Sequence, residues 1–165
     1  MEQERRLSWQ TSTGFANNPF KTYRECLDFD PQKLHGKLVL NIGSGLDRFS
    51  REAEEHGIKV VSLDPKLQKG EPMHDFMGEK MSDNFRGRSF AGIAQLLPFK
   101  DETFSAVFSL FGVPYYLPPY ESEYQITFEE VLRVIKPGGR AYFYPVAETI
   151  HGLVKRISQK AKSNY

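Results

Sequence analysis

Cysteine is nearly absent. Cys26 stands alone, so neither an intrachain disulfide nor a cysteine zinc cluster can brace the fold. The support must come from a hydrophobic core, and 165 residues suffice for one domain with such a core. An excess of one charge sign is also missing: 22 Lys and Arg stand against 21 Asp and Glu, which gives no sign of a nucleic acid or other polyanion as an obligatory partner. No apolar run approaches the length that crosses a bilayer. The opening "MEQERRLSWQ" has charges but no apolar centre, so it does not read as a secretory signal. Repeats and low-complexity tracts are lacking too. A hydrophobic share of 39% with 26% charge excludes global disorder. These absences lead us to expect a single cytoplasmic domain.

What is present is an alternation. "KLVLNIG", Lys37 to Gly43, is β-branched and apolar, a buried strand. A Gly-Ser-Gly turn follows, then "LDRFSREAEEHG", where Asp47 suits an N-cap, Phe49 and Ala53 share a face, and Gly57 suits the exit. "IKVVSLD", Ile58 to Asp64, is a second buried strand, which completes a βαβ unit. After a weakly patterned stretch, "SFAGIAQ" (Ser89 to Gln95) reads as a third strand and "FSAVFSLFGV" as a fourth, covered on both faces. Phe128, Val131, Leu132 and Ile135 form one helical stripe, with Thr127 and Glu130 as a capping box and "KPGG" as the stop. "RAYFYPV" is then a fifth strand and "ETIHGLVKRISQKAK" a closing helix. The expected fold is α/β, a Rossmann-like, doubly wound and mostly parallel sheet. Ligands of such sheets bind outside the carboxyl ends of the strands, which points to Gly43 to Asp47, Asp64, the loop after residue 93, and Phe111 to Tyr116.

Two cofactor classes compete for the Gly-Ser-Gly turn. A dinucleotide fingerprint needs glycine or alanine three residues after Gly45, and Arg48 stands there. Asp47 would also repel a pyrophosphate where backbone N–H groups should attract it. A nicotinamide-dependent reductase is therefore disfavoured, and a cofactor without phosphate avoids the conflict.

Four blocks, in order, carry a family resemblance: "VLNIGSG", Asp64 closing "VVSLD", "AQLLPFKDETFSAV", and "FEEVLRVIKPGGRAYFY". They resemble class I S-adenosylmethionine-dependent methyltransferases, near the type-11-like methyltransferase domain, over about Lys37 to Tyr144. The resemblance implies S-adenosylmethionine as cofactor. Gly43, Ser44 and Gly45 would lie against its methionine end, Asp64 would accept from the ribose hydroxyls, and Ala94 and Gln95 would lie by the adenine. Residues 1–36 would then form an amino-terminal segment whose aromatics (Trp9, Phe15, Phe20, Tyr23) either cover the cofactor or fill the core, and 37–165 the cofactor domain.

The departures from the family pattern are specific. Asn41 stands where an acid usually holds the methionine ammonium, and Ile93 where many relatives place an adenine-contacting acid. "GVPYY" occupies the place of an Asn-Pro-Pro-Tyr type motif but lacks its Asn, which leaves N-methylation poorly supported; Tyr115 and Tyr116 are candidates to line an acceptor pocket. Methyl transfer needs mainly alignment, so a lone catalytic acid or base is not required and no catalytic residue is assigned; the histidines show no ligand spacing, so no metal centre is expected. The family sheet has seven strands. The residues after Pro145 have room for one helix but hardly for two strands, so the sheet is expected to lack its last two strands, with a truncated chain, a naturally minimal one, or an edge covered by a second copy or the amino-terminal segment as the alternatives. The expected function is methyl transfer to a small-molecule or lipid-like acceptor. The alternative is a non-catalytic cofactor-binding or partner protein that keeps the fold.

Overall fold

The computed structural model describes residues 19–45, 48–65 and 88–163. Asp47, His74, Trp9 and Phe15, singled out above, lie outside the described residues. In chain order the elements are α1 (Pro19–Leu27), α2 (Pro31–Leu34), β1 (Leu38–Ile42), α3 (Arg48–Glu55), β2 (Lys59–Leu63), β3 (Ser89–Phe90), β4 (Phe104–Leu110), α4 (Glu121–Val134), β5 (Ile135–Tyr144) and α5 (Glu148–Ser163).

The five strands form one parallel sheet in the order β3-β2-β1-β4-β5. β1 and β4 are centrally placed and nearly continuous in buried residues, as a strand covered on both faces must be. One face is packed by Phe20, Tyr23 and Leu27 of α1 with Phe49 and Ala53 of α3, against Val39, Val60, Ala106 and Phe108. The i, i+3, i+7 spacing of the three α1 residues puts them on one helical stripe. Val131 and Val134 of α4 cover Leu40, Ile42 and Val107 on the other face. Helix α5 closes on α4 through Leu153, Ile157 and Phe128. Phe20 and Tyr23 thus belong to the core.

Four elements differ from the sequence expectation. β4 stops at Leu110 and does not run to Val113, because the chain turns at Phe111 with φ +52°. Helix α4 begins at Glu121, not at Thr127; Tyr120 is its N-cap and makes no side-chain cap bond. Thr127 and Glu130 therefore form no capping box, because Thr127 lies in mid-helix, buried. The first turns of α4 are mostly exposed, so they lack the apolar period by which a helix is recognised. β3 ends at Phe90 and does not run to Gln95, since it pairs with β2 on one side only. Finally, Lys136 to Gly139 do not end the helix; they bulge out of β5. Its register on β4 passes from Phe104↔Ile135 to Ala106↔Arg140, with Gly138 at φ +75°.

Candidate functional site

Strand order reverses between β1 and β4, and the loops leaving those two strands meet there. Gly43 has φ +70°, and a Cβ on it would sit 2.8 Å from Gly112 Cα. Gly112 is confined in turn: its Cβ would meet Ser109 Oγ at 2.6 Å and Ile42 O at 2.9 Å. The buried Ser109 hydroxyl ties the loops together, donating to Ile42 O (2.8 Å) and accepting from Val113 N (2.7 Å). Phe111, between them, has φ +52°, a left-handed backbone that its neighbours must impose. Ser109 did not stand out in the sequence, and Gly112 did so only as the first residue of "GVPYY", not as a point of close backbone contact.

The turn after β1 is also fastened to the end of β2. Gly43 N and Ser44 N both donate to Leu63 O, at 2.7 and 3.4 Å. Gly45, at φ +55°, donates its N–H to Asp64 Oδ2 at 3.0 Å. Asp64 is 7% exposed, and its own N–H donates to Phe90 O at the end of β3. A buried carboxylate is thus held at the mouth of three adjacent parallel strands. A carboxylate offers about four acceptor sites on its two oxygens, and the Gly45 N–H takes one of them.

Asn41, fully buried in β1, accepts from the Tyr23 hydroxyl at 3.2 Å. Its Nδ2 has no partner among the described residues, and neither has the buried Ser44 Oγ. An orphaned buried donor costs about 1–3 kcal/mol, so two of them in consecutive stretches of one strand and its turn fit a polar ligand group placed beside them. The residues present therefore fit a cofactor with hydroxyl, amino and carboxylate groups and need no charged phosphate cradle.

Ala94 and Gln95 lie downstream of β3. Ala94 is buried in the core, and Gln95 donates through Nε2 to Glu123 Oε2 at 3.0 Å. Tyr115 and Tyr116 follow β4, 48% and 70% exposed, with their rings edge to face at 5.0 Å. Asn41, Gly43, Ser44, Gly45 and Asp64 are therefore joined by direct bonds or by chain neighbourhood. Ala94 and Gln95 form a separate side of the same end of the sheet, and the tyrosines a third.

The sequence reading gave Glu130 only a capping role and did not single out Arg133. Glu130 accepts from Leu97 N at 2.8 Å and forms an ion pair with Arg133 at 2.7 Å. The Arg133 guanidinium, more than burial can offset, holds the Glu130 carboxyl below the ordinary glutamate range. A carboxylate depressed in the fold contributes stability that is fully present above the unfolded value and lost as pH falls through the folded one. Acidification below about pH 4.3 should therefore loosen the segment around Leu97. Limited proteolysis near that segment should accelerate at acid pH in the native protein, and the acid increment should vanish in Glu130→Gln.

Among the described residues, no helix is long and apolar enough to cross a membrane. The family model described as a methyltransferase domain matches residues 40–143. A biotin biosynthesis bifunctional protein, BioHC of Cellvibrio japonicus, is 30% identical over 118 residues, or 72% of this chain and 21% of that protein. Demethylmenaquinone methyltransferase of Paenarthrobacter aurescens is 31% identical over 125 residues, covering 72% of this chain and 41% of the relative. The chain thus spans less than half the length of these curated relatives. A TehB-like SAM-dependent methyltransferase from Corynebacterium glutamicum has the same fold, with a TM-score of 0.63 at 15% identity over 98% of this chain and 84% of that one.

Proposed function

The chain belongs to the methyltransferase-domain family, and from that membership we propose that it transfers a methyl group from S-adenosylmethionine to a small, ring-bearing apolar acceptor. The observation that carries the reading is the bonded set at the ends of β1 and β2: Asp64 on Gly45 N–H, with Asn41 Nδ2 and Ser44 Oγ buried and without partners among the described residues. When bound, the cofactor supplies an electrophilic sulfonium methyl. The chain's own residues then have only to bind, orient and exclude water. Asp64 accepts from the ribose hydroxyls. Asn41 and Ser44 take the polar groups of the methionine end. Ala94 and Gln95 border the base. Tyr115 and Tyr116 present two exposed rings after β4, a surface that favours stacking against an apolar ring. One relative is a demethylmenaquinone methyltransferase by name, which supports an acceptor of this chemical kind.

Calorimetric titration tests the first half of the reading. Binding of S-adenosylmethionine and of S-adenosylhomocysteine in the micromolar range is expected, with no binding of NAD or NADP. Tight binding of a dinucleotide in their place would overturn it. Turnover on a cell extract, followed by labelled methyl, tests the second half. A second reading, cofactor binding without turnover, is favoured by Asn41, which presents a neutral amide where the family usually has an acid. It predicts the same titration with no label transferred to any acceptor.

A further inference from the structure

The segment from Gln95 to Glu102 connects β3 to β4 without belonging to a strand or helix. Its backbone carbonyls have no ladder to join, yet two of them, Leu97 O and Phe99 O, accept from one side chain. Arg133 Nη1 donates to Phe99 O at 2.7 Å and to Asp101 Oδ1 at 2.7 Å. Its Nη2 donates to Leu97 O at 3.0 Å and to Glu130 Oε2 at 2.8 Å, and its Nε to Glu130 Oε1 at 2.7 Å. Glu130 returns the contact by accepting from Leu97 N. The Arg133 carbonyl accepts from Glu102 N at 2.9 Å, and Glu123 holds the Gln95 amide. Helix α4 therefore grips this segment at residues 95, 97, 99, 101 and 102. The arginine side chain is 32% exposed and the glutamate 19%, so the pair is largely sheltered from solvent competition.

This is more fastening than the surface of a connecting loop needs. A planar guanidinium has five donors in a fixed fork, and here all three nitrogens are used. Such a fork fixes direction as well as proximity, because two carbonyls two residues apart must both point at it. The path it sets, Ala94 to Leu97, begins with Ala94 and Gln95, the two residues assigned above to the base side of the cofactor.

We propose that the Glu130–Arg133 pair is a positioning unit for the adenine subsite, holding the segment from Ala94 to Leu97 in the path that lets this protein distinguish one purine from another. The proposal rests on the cofactor reading above. Neither side chain touches the base; both act through the backbone they hold.

The test uses the full chain with Arg133→Lys, and Glu130→Gln as a second variant where the first does not fold. Hydrogen exchange without ligand reads the grip directly: protection of the amides from Gln95 to Glu102 should fall at least tenfold while that of β1 and β4 is unchanged. Calorimetry below the melting temperature then compares S-adenosylhomocysteine with its 6-oxo counterpart, S-inosylhomocysteine. Native protein is expected to prefer the adenosyl compound by about tenfold or more, and the variants to lose most of that ratio. A merely structural role would lower the melting temperature and leave the ratio intact, which would overturn the proposal, as would unchanged exchange. Native protein that binds both compounds equally would overturn it while sparing the cofactor reading. Native protein that binds neither would remove both.

Discussion

Gly43→Ala is expected to lower the unfolding free energy by about 3 kcal/mol, whereas Gly45→Ala should cost only about 1–2 kcal/mol. Both glycines have positive φ, at +70° and +55°, so each alanine carries the left-handed backbone penalty. Only at Gly43 does the new methyl also meet an atom. It would lie 2.8 Å from Gly112 Cα, and that atom is backbone, fixed by the Ser109 hydroxyl between Ile42 O and Val113 N. Relief would require opening the contact between the loops after β1 and β4, which adds an overpacking cost of about 1–3 kcal/mol. At Gly45 nothing lies within 4 Å among the described residues. Urea denaturation of the two variants side by side therefore isolates the steric part. Equal losses at the two positions would show that the loops are not in the close contact described.

Asp64→Asn should weaken S-adenosylmethionine binding about 30- to 150-fold, equivalent to about 2–3 kcal/mol. The asparagine keeps the volume of a side chain that is 7% exposed, and its oxygen can still accept from Gly45 N–H. What it loses is the charge and the second acceptor oxygen that would face the ribose hydroxyls. Thermal unfolding should therefore shift by only a few degrees while affinity collapses. Asp64→Ala separates the two roles: it removes the turn bond as well, so it should lose affinity to at least the same degree and stability in addition. Native affinity in Asp64→Asn would take Asp64 out of the cofactor site and leave it as a fastening for the turn. Together with the base-selectivity, proteolysis and titration outcomes above, these results test the site from three directions.

Much of the sheet was legible because its central strands are buried on both faces and must be apolar almost throughout. β1 and β2 were placed to within a residue at each end on that ground alone, and β4 began where expected but was drawn three residues too long. Where a segment is half exposed, the signal fades. The amino-terminal turns of α4 carry "ESEY", with little to separate a helix from a loop, so the start fell at Thr127, six residues late. β3 pairs on one side and holds two residues, too few for any period. The "KPGG" bulge looked like a helix stop because the same left-handed glycine serves both.

The site divides in the same way. The Gly-Ser-Gly turn and Asp64 were readable because local rules govern a turn that follows a buried strand and an acid that ends the next. Their fastening was not. Ser109 reaches Ile42 O across 67 residues, and Arg133 reaches Leu97 O across 36, and neither spacing has a periodic signature. Glu130 and Arg133 lie three apart on one helix, which by itself suggests only a local surface pair.

The amino-acid sequence alone determined the alternation of elements, the parallel sheet that this alternation compels, and the glycine turn with its nearby acid. Each follows from burial period and backbone freedom over fewer than ten or so neighbouring residues. The tertiary structure alone decided which atom confines Gly43, which groups are left unpaired beside Asn41, and which arginine holds the segment before β4. Those outcomes depend on distances between chain-remote atoms, and such distances exist only after the strands have taken their order.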